Sequence, residues 1–375
     1  MPNHWQFALL LLAVPAQALA GVKVQAWGAL ADGRLVDKVT LRNERGMQLA
    51  YIDYGATITT VAVPDRKGRA ANVMLSLPSL NAYVATRRRH GAIIGRYAGR
   101  IGHARFPLDG RVVQLVPNAK GLALHGDPDG FDKRLFQRTD FADAASIGSV
   151  YRLLSPAGDQ GFPGRLEVSV TYRLMRKSNE FRIEYAAASD APTIVNLTNH
   201  GYFNLSGAGA NGLASHSFQI AASRYAILDA LRVPTGELAP VAGTPLDFRR
   251  PASAATRLAA GSALLGNPAW FDHGLVFDKG EGKLALVATI DDGASGRRMQ
   301  VLTTEPSVIF NSGNGFDGSE TGTEGVAYRR HDGFAFETQH LADSPNHPHF
   351  PSTVLRPETP FSSMTVFRFS AVPRP

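Results

Sequence analysis

Short apolar runs separated by turn residues recur along this chain, and they constrain its fold more than any other feature. The runs lie at 36–41, 48–54, 57–63, 168–174, 180–186, 284–290, 298–303, 334–339 and 364–369. Residues 43–46 and 177–179 are typical of hairpin turns between them. Strands joined by short turns, with no alternating helices, favour antiparallel pairing. The sequence therefore predicts an all-β protein built as a large antiparallel β-sandwich.

Composition and segmentation agree with this fold class. The chain has 375 residues, with 44% hydrophobic residues, 37 Gly, 23 Pro and only 19% charged residues, which is typical of a turn-rich β protein. Helical periodicity is weak, and the best candidate helix spans 253–265, with Ser253 as N-cap and Gly266 just past its end. Because neither a repeat nor a linker divides the chain, we expect residues 21–375 to form one domain.

The first twenty residues have the pattern of a secretory signal peptide. An apolar run at 7–14 precedes Ala18-Leu19-Ala20, and cleavage is expected after Ala20. The run is too short to span a bilayer. It lacks a preceding Lys or Arg, so a misassigned start or a disordered leader is the alternative. We expect a periplasmic or secreted protein.

Charge and cysteine content exclude several classes of function. The formal net charge is +7, but residues 87–90 are the only dense basic run. Nucleic-acid binding would need more such runs with interleaved aromatics, so this run is interpreted as a solvated loop, and neither a nucleic-acid nor a membrane partner is expected. The absence of Cys excludes disulfides, thiolate metal sites and Cys nucleophiles.

Known catalytic signatures are also missing. The chain has no G-x-S-x-G elbow, Walker loop or H-E-x-x-H motif. His347 and His349 near Asp343 have a spacing that metal sites use, but the proline-rich surroundings favour a polar loop. We therefore expect no metal site.

Residues 193–205 are the strongest candidate for a binding strand. In an extended conformation, alternate side chains would point to opposite faces. One face would carry Val195, Leu197, Phe203 and Leu205, and the other would carry Asn196, Thr198, His200, Tyr202 and Asn204. The polar face suits a polyhydroxylated ligand and a proton transfer. The alternative is a strand with one ordinary solvated face.

Other segments add candidate side chains. Glu337 lies on the low-charge run 334–339, although an exposed glutamate is the usual alternative. His125 ends an apolar run, and Asp272 lies among aromatic residues. Three aromatic residues could stack on the apolar face of a sugar, namely Tyr202, Trp270 and Phe310.

Several motifs together carry a family resemblance. They are G-R-Y-A-G-R-I at 95–101, L-H-G at 124–126 with G-F-D-K at 130–133, N-L-T-N-H-G-Y-F-N-L at 196–205, P-T-G-E at 234–237 with G-T-P-L-D at 243–247, F-D-H at 271–273, T-T-E-P at 303–306, and E-T-Q at 337–339 followed by Asp343 and Asn346. In this order the chain resembles the aldose 1-epimerases, also called galactose mutarotases. The resemblance implies a mutarotase-like supersandwich with a sugar cleft on one sheet.

The resemblance also implies roles for individual residues. His200 matches the general acid of the family and Glu337 its general base. The family's sugar-binding positions correspond to Arg100, His125, Tyr202 and Asp272. The reaction is interconversion of the α and β anomers of free aldohexoses such as glucose and galactose. It needs no cofactor, and we expect a monomer or weak dimer. We expect Glu337 to be ionised near neutral pH, and His200 to become cationic if a nearby carboxylate raises its pKa.

The chain departs from the family pattern at a few positions. Gly99 stands where Asn is usual, Ile309 where Gln is common, Asn311 where an aromatic is usual, and Pro357-Glu358 lacks the usual glycine. These changes bear on substrate preference more than on catalysis. Two other functions stay open, namely a non-catalytic sugar-binding module and an epimerase of hexose 6-phosphates, for which residues 87–89 are the only basic cluster available.

Overall fold

Antiparallel strands account for most of the chain in the computed structural model, which describes residues 21–210 and 212–373. The predicted signal peptide at 1–20 lies outside the described residues. No helix in the described ranges is long and apolar enough to cross a membrane.

The first half of the chain contributes fourteen strands. They are β1 (Val22–Ala29), β2 (Leu35–Arg42), β3 (Gln48–Ile52), β4 (Thr57–Pro64), β5 (Ala70–Asn72), β6 (Ile93–Ile94), β7 (Arg100–Ile101), β8 (Arg105–Leu108), β9 (Arg111–Gln114), β10 (Ala123–Leu124), β11 (Gln137–Ala142), β12 (Ser146–Ser155), β13 (Leu166–Met175) and β14 (Glu180–Ser189). One short helix, α1 (Leu80–Ala85), lies between β5 and β6.

The second half contributes the remaining strands. They are β15 (Thr193–Ile194), β16 (Thr198–Asn199), β17 (Tyr202–Phe203), β18 (His216–Ile220), β19 (Ala222–Leu228), β20 (Pro234–Pro240), β21 (Ala252–Ser253), β22 (Asp272–Phe277), β23 (Ala285–Asp292), β24 (Arg297–Thr303), β25 (Ser307–Asn311), β26 (Asp317–Thr321), β27 (Ala327–Arg329), β28 (Phe334–Gln339), β29 (Val354–Leu355) and β30 (Phe361–Ala371). Helix α2 (Ala254–Ala260) follows β21, and 3₁₀ turns occur at Gly102–Ala104, Phe131–Lys133, Asp159–Gly161, Ala263–Leu265 and Ser344–Asn346.

Three sheets organise these strands. A nine-stranded sheet has the order β11-β12-β13-β14-β30-β24-β23-β18-β21. A six-stranded sheet has the order β17-β28-β25-β22-β19-β20, and a five-stranded sheet runs from β1 to β5 in chain order. The remaining pairings are two-stranded.

Aromatic residues fix how the sheets face one another. Phe218 of the nine-stranded sheet has its ring centroid 5.1 Å from that of Phe310 and 4.9 Å from that of Phe334, both in the six-stranded sheet. Tyr51 of the five-stranded sheet packs similarly, 5.0 Å from Tyr172 on β13. The nine-stranded sheet is therefore one layer, and the other two sheets cover it side by side. The predicted all-β sandwich with large antiparallel sheets is confirmed.

The sequence pattern explains why these strands pack as they do. Along β13, residues 166, 168, 170, 172 and 174 are apolar or aromatic and buried, while the intervening side chains are more exposed. This period of two places one face in the core. The predicted runs match observed strands within a few residues, and 334–339 coincides with β28.

The predicted helix at 253–265 is shorter than expected. Ser253 caps α2 as predicted, because its side chain accepts a hydrogen bond from the backbone N–H of Thr256 at 3.2 Å. The helix ends at Ala260, because Gly261 adopts a φ of 65°. A separate 3₁₀ turn then occupies Ala263–Leu265.

The prediction of one extended strand over 193–205 is wrong. The segment forms three two-residue strands with breaks between them, and every residue in it is buried. The polar side chains mostly satisfy neighbouring backbone groups instead of facing a ligand: Asn196 donates to the carbonyls of Ala98 and His340, and Thr198 donates to that of Thr338. Buried backbone carbonyls need such partners, which explains a polar row without a solvated face.

Candidate active site

A cavity of about 190 Å³ opens on the six-stranded sheet. Its floor comes from the strands and contains Ala226, Leu228, Pro234, Asp272, Gly274, Ile309, Asn311 and Glu337. Its walls come from loops and short strands and contain Arg89, Gly99, Arg100, Leu124, His125, His200, Arg232, Leu341 and Ala342. Five of the six predicted site residues line this cavity.

Strand register places the floor residues side by side. Glu337 on β28 is paired with Ile309 on β25, which is paired in turn with Gly274 on β22. Directly paired residues of antiparallel strands project to the same face. A Cβ on Gly274 would lie 2.6 Å from Cδ2 of Leu341, so glycine lets that side chain pack close to the floor. The sheet therefore fixes the position of the Glu337 carboxyl group.

His200 and Glu337 form the central pair. Nε2 of His200 lies 3.5 Å from Oε1 of Glu337, and both residues are buried. Burial, reinforced by the charge of Arg89, lowers the pKa of His200 to about 3. Burial and the nearby Asp272 raise the pKa of Glu337 to about 8. At neutral pH the pair therefore carries one transferable proton, and this proton resides on Glu337.

This protonation state differs from the one expected from the sequence. We expected an ionised Glu337 and a His200 whose pKa could be raised by a carboxylate. Removal from water disfavours the charged form of both groups, and it is the largest influence on both pKa values. Desolvation is a property of the folded cavity, so residue types alone could not reveal it.

His125 is held in one tautomer. Its Nδ1 accepts a hydrogen bond from the backbone N–H of Gly99 at 3.1 Å. Burial and the positive charge of Arg89 keep the pKa of His125 well below its ordinary value, so the ring is neutral. A neutral imidazole that accepts at Nδ1 carries its hydrogen on Nε2. His125 is therefore a hydrogen-bond donor through Nε2, and its ring lies 5.5 Å from that of His200.

The same three side chains offer a set of metal-binding atoms. Donor atoms of His125, His200 and Glu337 lie within 4.8 Å of one another. A metal at Nε2 of His125 would require that nitrogen to lose its hydrogen. Since Nδ1 already accepts from Gly99, ligation at Nε2 would need a deprotonated ring or a broken hydrogen bond. The hydrogen bonding of the cavity thus favours a polar organic ligand over a metal ion.

Asp272 is surrounded by donors. Its Oδ2 lies 3.2 Å from Nε of Arg232 and 3.6 Å from Nη2 of Arg100, and its Oδ1 accepts a hydrogen bond from Nδ2 of Asn311 at 3.1 Å. Burial raises the pKa of the carboxyl group, but Arg100 and Arg232 outweigh burial and hold the pKa of Asp272 below its ordinary value. Asp272 is therefore a fixed anion and hydrogen-bond acceptor in the cavity.

The aromatic candidates lie elsewhere than predicted. Tyr202 is buried behind His200, with ring centroids 5.1 Å apart, and is not part of the cavity lining. Phe310 is fully buried in the core between the sheets. Trp270 has the guanidinium of Arg232 5.2 Å from its ring centroid. Neither Phe310 nor Trp270 lines the cavity, so the predicted stacking of these two rings on a sugar is wrong.

Two arginines of the cavity were missed by sequence reasoning. Arg89 belongs to the run at 87–90 that was interpreted as a solvated loop, yet it lines the cavity and pairs with Asp127 and Asp132. Arg232 was not singled out at all. Its proximity to P-T-G-E at 234–237 was the available signal, because that motif places the preceding turn beside the cavity.

The two histidines that resembled a metal site have other partners. His347 lies with Nε2 3.2 Å from Oδ2 of Asp343 and 3.0 Å from the carbonyl oxygen of Pro234. His349 contacts the carbonyl oxygen of Gly236 through Nε2. These contacts hold the loop that contains His347 and His349 against β20, whose Pro234 lines the cavity.

Comparison with known proteins places this arrangement in a family. The family described as Aldose 1-epimerase matches residues 37–368. Galactose mutarotase from Homo sapiens is 38% identical over 353 residues, which is 94% of this chain and 99% of the human protein. Aldose 1-epimerase from Escherichia coli K12 is 38% identical over 344 residues, covering 91% of this chain and 97% of that protein.

Solved structures agree. The crystal structure of galactose 1-epimerase from Lactobacillus acidophilus NCFM superposes with a TM-score of 0.82 at 26% identity, covering 93% of this chain and 98% of that chain. The predicted family resemblance is confirmed by the match over most of the sequence and by the shared fold. This chain belongs to the aldose 1-epimerase family.

Proposed function

We propose that this protein interconverts the α and β anomers of free aldohexoses such as glucose and galactose, by acid–base opening and reclosure of the sugar ring. The observation that carries the proposal is the buried His200–Glu337 pair, whose Nε2 and Oε1 atoms lie 3.5 Å apart at a cavity lined with hydrogen-bonding groups. Relatives along nearly the whole chain bear the names galactose mutarotase and aldose 1-epimerase, which supports the same reaction.

The chemistry needs one base within reach of the C1 hydroxyl and one acid within reach of the ring oxygen, two oxygens that are bonded to the same carbon. A base takes the proton of the C1 hydroxyl while an acid delivers a proton to the ring oxygen, and the bond between C1 and that oxygen breaks. The free aldehyde rotates about C1–C2, and the reverse proton transfers close the ring on the other face. No net proton is gained or lost, so a pair that holds one proton is sufficient.

Glu337 acts as the base and His200 as the acid in this proposal. Burial keeps the proton on Glu337, so the reactive form requires its transfer to His200. The 3.5 Å between Oε1 and Nε2 is short enough for that transfer after a small side-chain movement. Hydroxyl groups of a bound sugar donate hydrogen bonds to the carboxylate of Glu337, which stabilises its ionised form and thereby favours the transferred state.

The other polar residues hold the sugar. His125 donates through Nε2, Arg100 donates through its guanidinium, and Asp272 accepts hydroxyl hydrogens through its carboxylate. Two of these groups are positioned before the substrate arrives. Gly99 orients His125, and Arg232 and Asn311 hold Asp272. Such preorganisation lowers the cost of stabilising charge that develops on the ring oxygen.

Polarimetry tests this function directly. Freshly dissolved α-D-glucose and α-D-galactose would be followed to their equilibrium rotation in a weakly catalytic buffer, with and without the protein. We expect acceleration with both sugars. If folded protein accelerates neither, the proposal is wrong and a sugar-binding module becomes the better description.

We also propose that residues 1–20 direct export and that the mature protein works in the periplasm or outside the cell as a monomer or weak dimer. The support is the apolar run and the Ala18-Leu19-Ala20 site. Mass spectrometry of the exported protein tests the cleavage, with a mature chain that begins at Gly21 as the expected result. Sedimentation of that mature protein tests the oligomeric state.

A further inference from the structure

Positive charge exceeds negative charge at one end of the cavity. Asp272 has two guanidinium partners, Arg100 and Arg232, within 3.6 Å and 3.2 Å of the same oxygen. Among the described residues that line the cavity, the only other carboxylate is Glu337. One unit of positive charge near Asp272 is therefore left without a matching anion.

Arg89, the third arginine that lines the cavity, does not add to this surplus of positive charge. Arg89 lies against Asp127 and Asp132, so its charge is already matched by carboxylates behind the cavity wall. The imbalance is thus local to Arg100 and Arg232. Neutral sugars do not need a surplus cation, whereas a substrate with a carboxylate would pair with it.

Arg232 is held in place as a fixed donor. Its guanidinium lies 5.2 Å from the ring centroid of Trp270, and its Nη2 donates to the backbone carbonyl of Asp272 at 3.1 Å. The backbone of Arg232 is in the left-handed region, with a φ of 64°, which is uncommon for residues other than glycine. A guanidinium restrained at both ends loses little side-chain entropy when it binds an anion.

We propose that the cavity also accepts aldoses that carry a carboxylate, the hexuronic acids, and that Arg232 is the residue that favours them over neutral aldohexoses. This inference rests on the proposed function, because the same His200–Glu337 pair opens the ring. A carboxylate is close in size to the hydroxymethyl group that it replaces, so the cavity of about 190 Å³ accommodates it without the bulk of a phosphoryl group. The planar guanidinium matches a carboxylate through two parallel N–H donors.

Polarimetry at pH 7 and low ionic strength with D-galacturonic acid and D-galactose tests the proposal. The proteins are wild type, Arg232→Gln, Arg232→Lys and the control Arg250→Gln, since Arg250 is exposed and does not line the cavity. We expect Arg232→Gln to lower kcat/KM for galacturonate roughly tenfold or more beyond its effect on galactose, as loss of a charge-assisted hydrogen bond predicts. Arg232→Lys should lose less, and Arg250→Gln should leave the ratio unchanged.

Variation of the ionic strength tests the proposal on wild type, so this test does not depend on the folding of a variant. With wild type, the ratio of kcat/KM for galacturonate to that for galactose should fall as ionic strength rises, because salt screens the attraction. Two results would overturn the inference and leave the proposed function standing. One is a ratio of kcat/KM for galacturonate to that for galactose that is the same in Arg232→Gln as in wild type. The other is a protein that accelerates the mutarotation of galactose but not that of galacturonate. Acceleration of galactose 6-phosphate in preference to galacturonate would overturn the assignment of the carboxylate. Failure with all sugars would overturn the proposed function itself.

Discussion

Ile309 and Glu337 are directly opposed on neighbouring strands of the six-stranded sheet, so an apolar side chain flanks the carboxyl group on the cavity floor. An apolar neighbour cannot donate a hydrogen bond to the ionised carboxylate. This pairing contributes to an environment in which burial raises the pKa of Glu337 to about 8.

Replacement of Ile309 by Gln should therefore change the pH dependence. An amide beside Glu337 can donate to its carboxylate, which favours the ionised form and lowers the pKa. We expect the alkaline limb of kcat/KM, near pH 8 in wild type, to move to lower pH in Ile309→Gln. Ile309→Met is the control, because it keeps volume without adding an N–H donor. Identical limbs in both variants would show that this neighbour does not influence the titrating group.

Gly99 is expected to resist the Asn that is usual in the family. Its φ is 91°, and an added Cβ would lie 2.9 Å from Cβ of Ala342. We expect Gly99→Asn to lower the free energy of unfolding by about 1–3 kcal/mol, as overpacking commonly does. Urea denaturation measures this cost, and Gly99→Asn combined with Ala342→Gly should recover part of it. No recovery in the double variant would assign the cost to the backbone alone.

The raised pKa of Glu337 predicts how stability depends on pH. The carboxyl pKa rises from an ordinary 4.5 to about 8 on folding. The protonated group contributes its full stability below the ordinary pKa, and this contribution is lost as pH rises through about 8. Wild type should therefore lose stability relative to Glu337→Gln by a few kcal/mol between pH 5 and pH 8. Urea denaturation of both proteins at the two pH values measures the difference, and parallel curves would contradict a raised pKa.

The two arginines of the motif at 95–101 should respond differently to substitution. Arg96 is buried, and its Nη1 donates to the carbonyls of Pro163 and Gly164 at 2.8 and 2.9 Å, while its Nη2 donates to Oγ of Ser155 at 2.7 Å. Arg96→Met should destabilise the fold by about 3–5 kcal/mol, because buried acceptors lose their partner. Arg100→Met should destabilise the fold less than Arg96→Met, because Arg232 still pairs with Asp272, and it should raise KM. Thermal unfolding and kinetics of both variants separate these outcomes.

Sequence reasoning reached the fold and most of the cavity for identifiable reasons. Strand positions follow from a short-range period of two, so runs such as 334–339 could be located from the residues alone. His200, Glu337, Arg100, His125 and Asp272 meet in one cavity, as the family motifs implied.

The failures involve interactions between distant parts of the chain. Arg89 enters the cavity because Asp127 and Asp132 hold it, and no local pattern reports those contacts. Asn196 and Thr198 donate hydrogen bonds to buried carbonyls of residues far away in the sequence, Ala98 and Thr338. A pattern of alternating faces cannot distinguish this role from ligand binding. The protonation of His200 and Glu337 depends on burial, which exists only after folding.

The most direct test of the His200–Glu337 mechanism is the polarimetric kcat/KM of Glu337→Gln for α-D-galactose at pH 7, compared with wild type and with Glu237→Gln. Glu237 is exposed on β20, so its substitution controls for loss of a carboxyl group outside the cavity. The account predicts a loss of at least about 100-fold in Glu337→Gln and near-wild-type activity in Glu237→Gln. Near-wild-type activity of folded Glu337→Gln would contradict the role of Glu337 as the base.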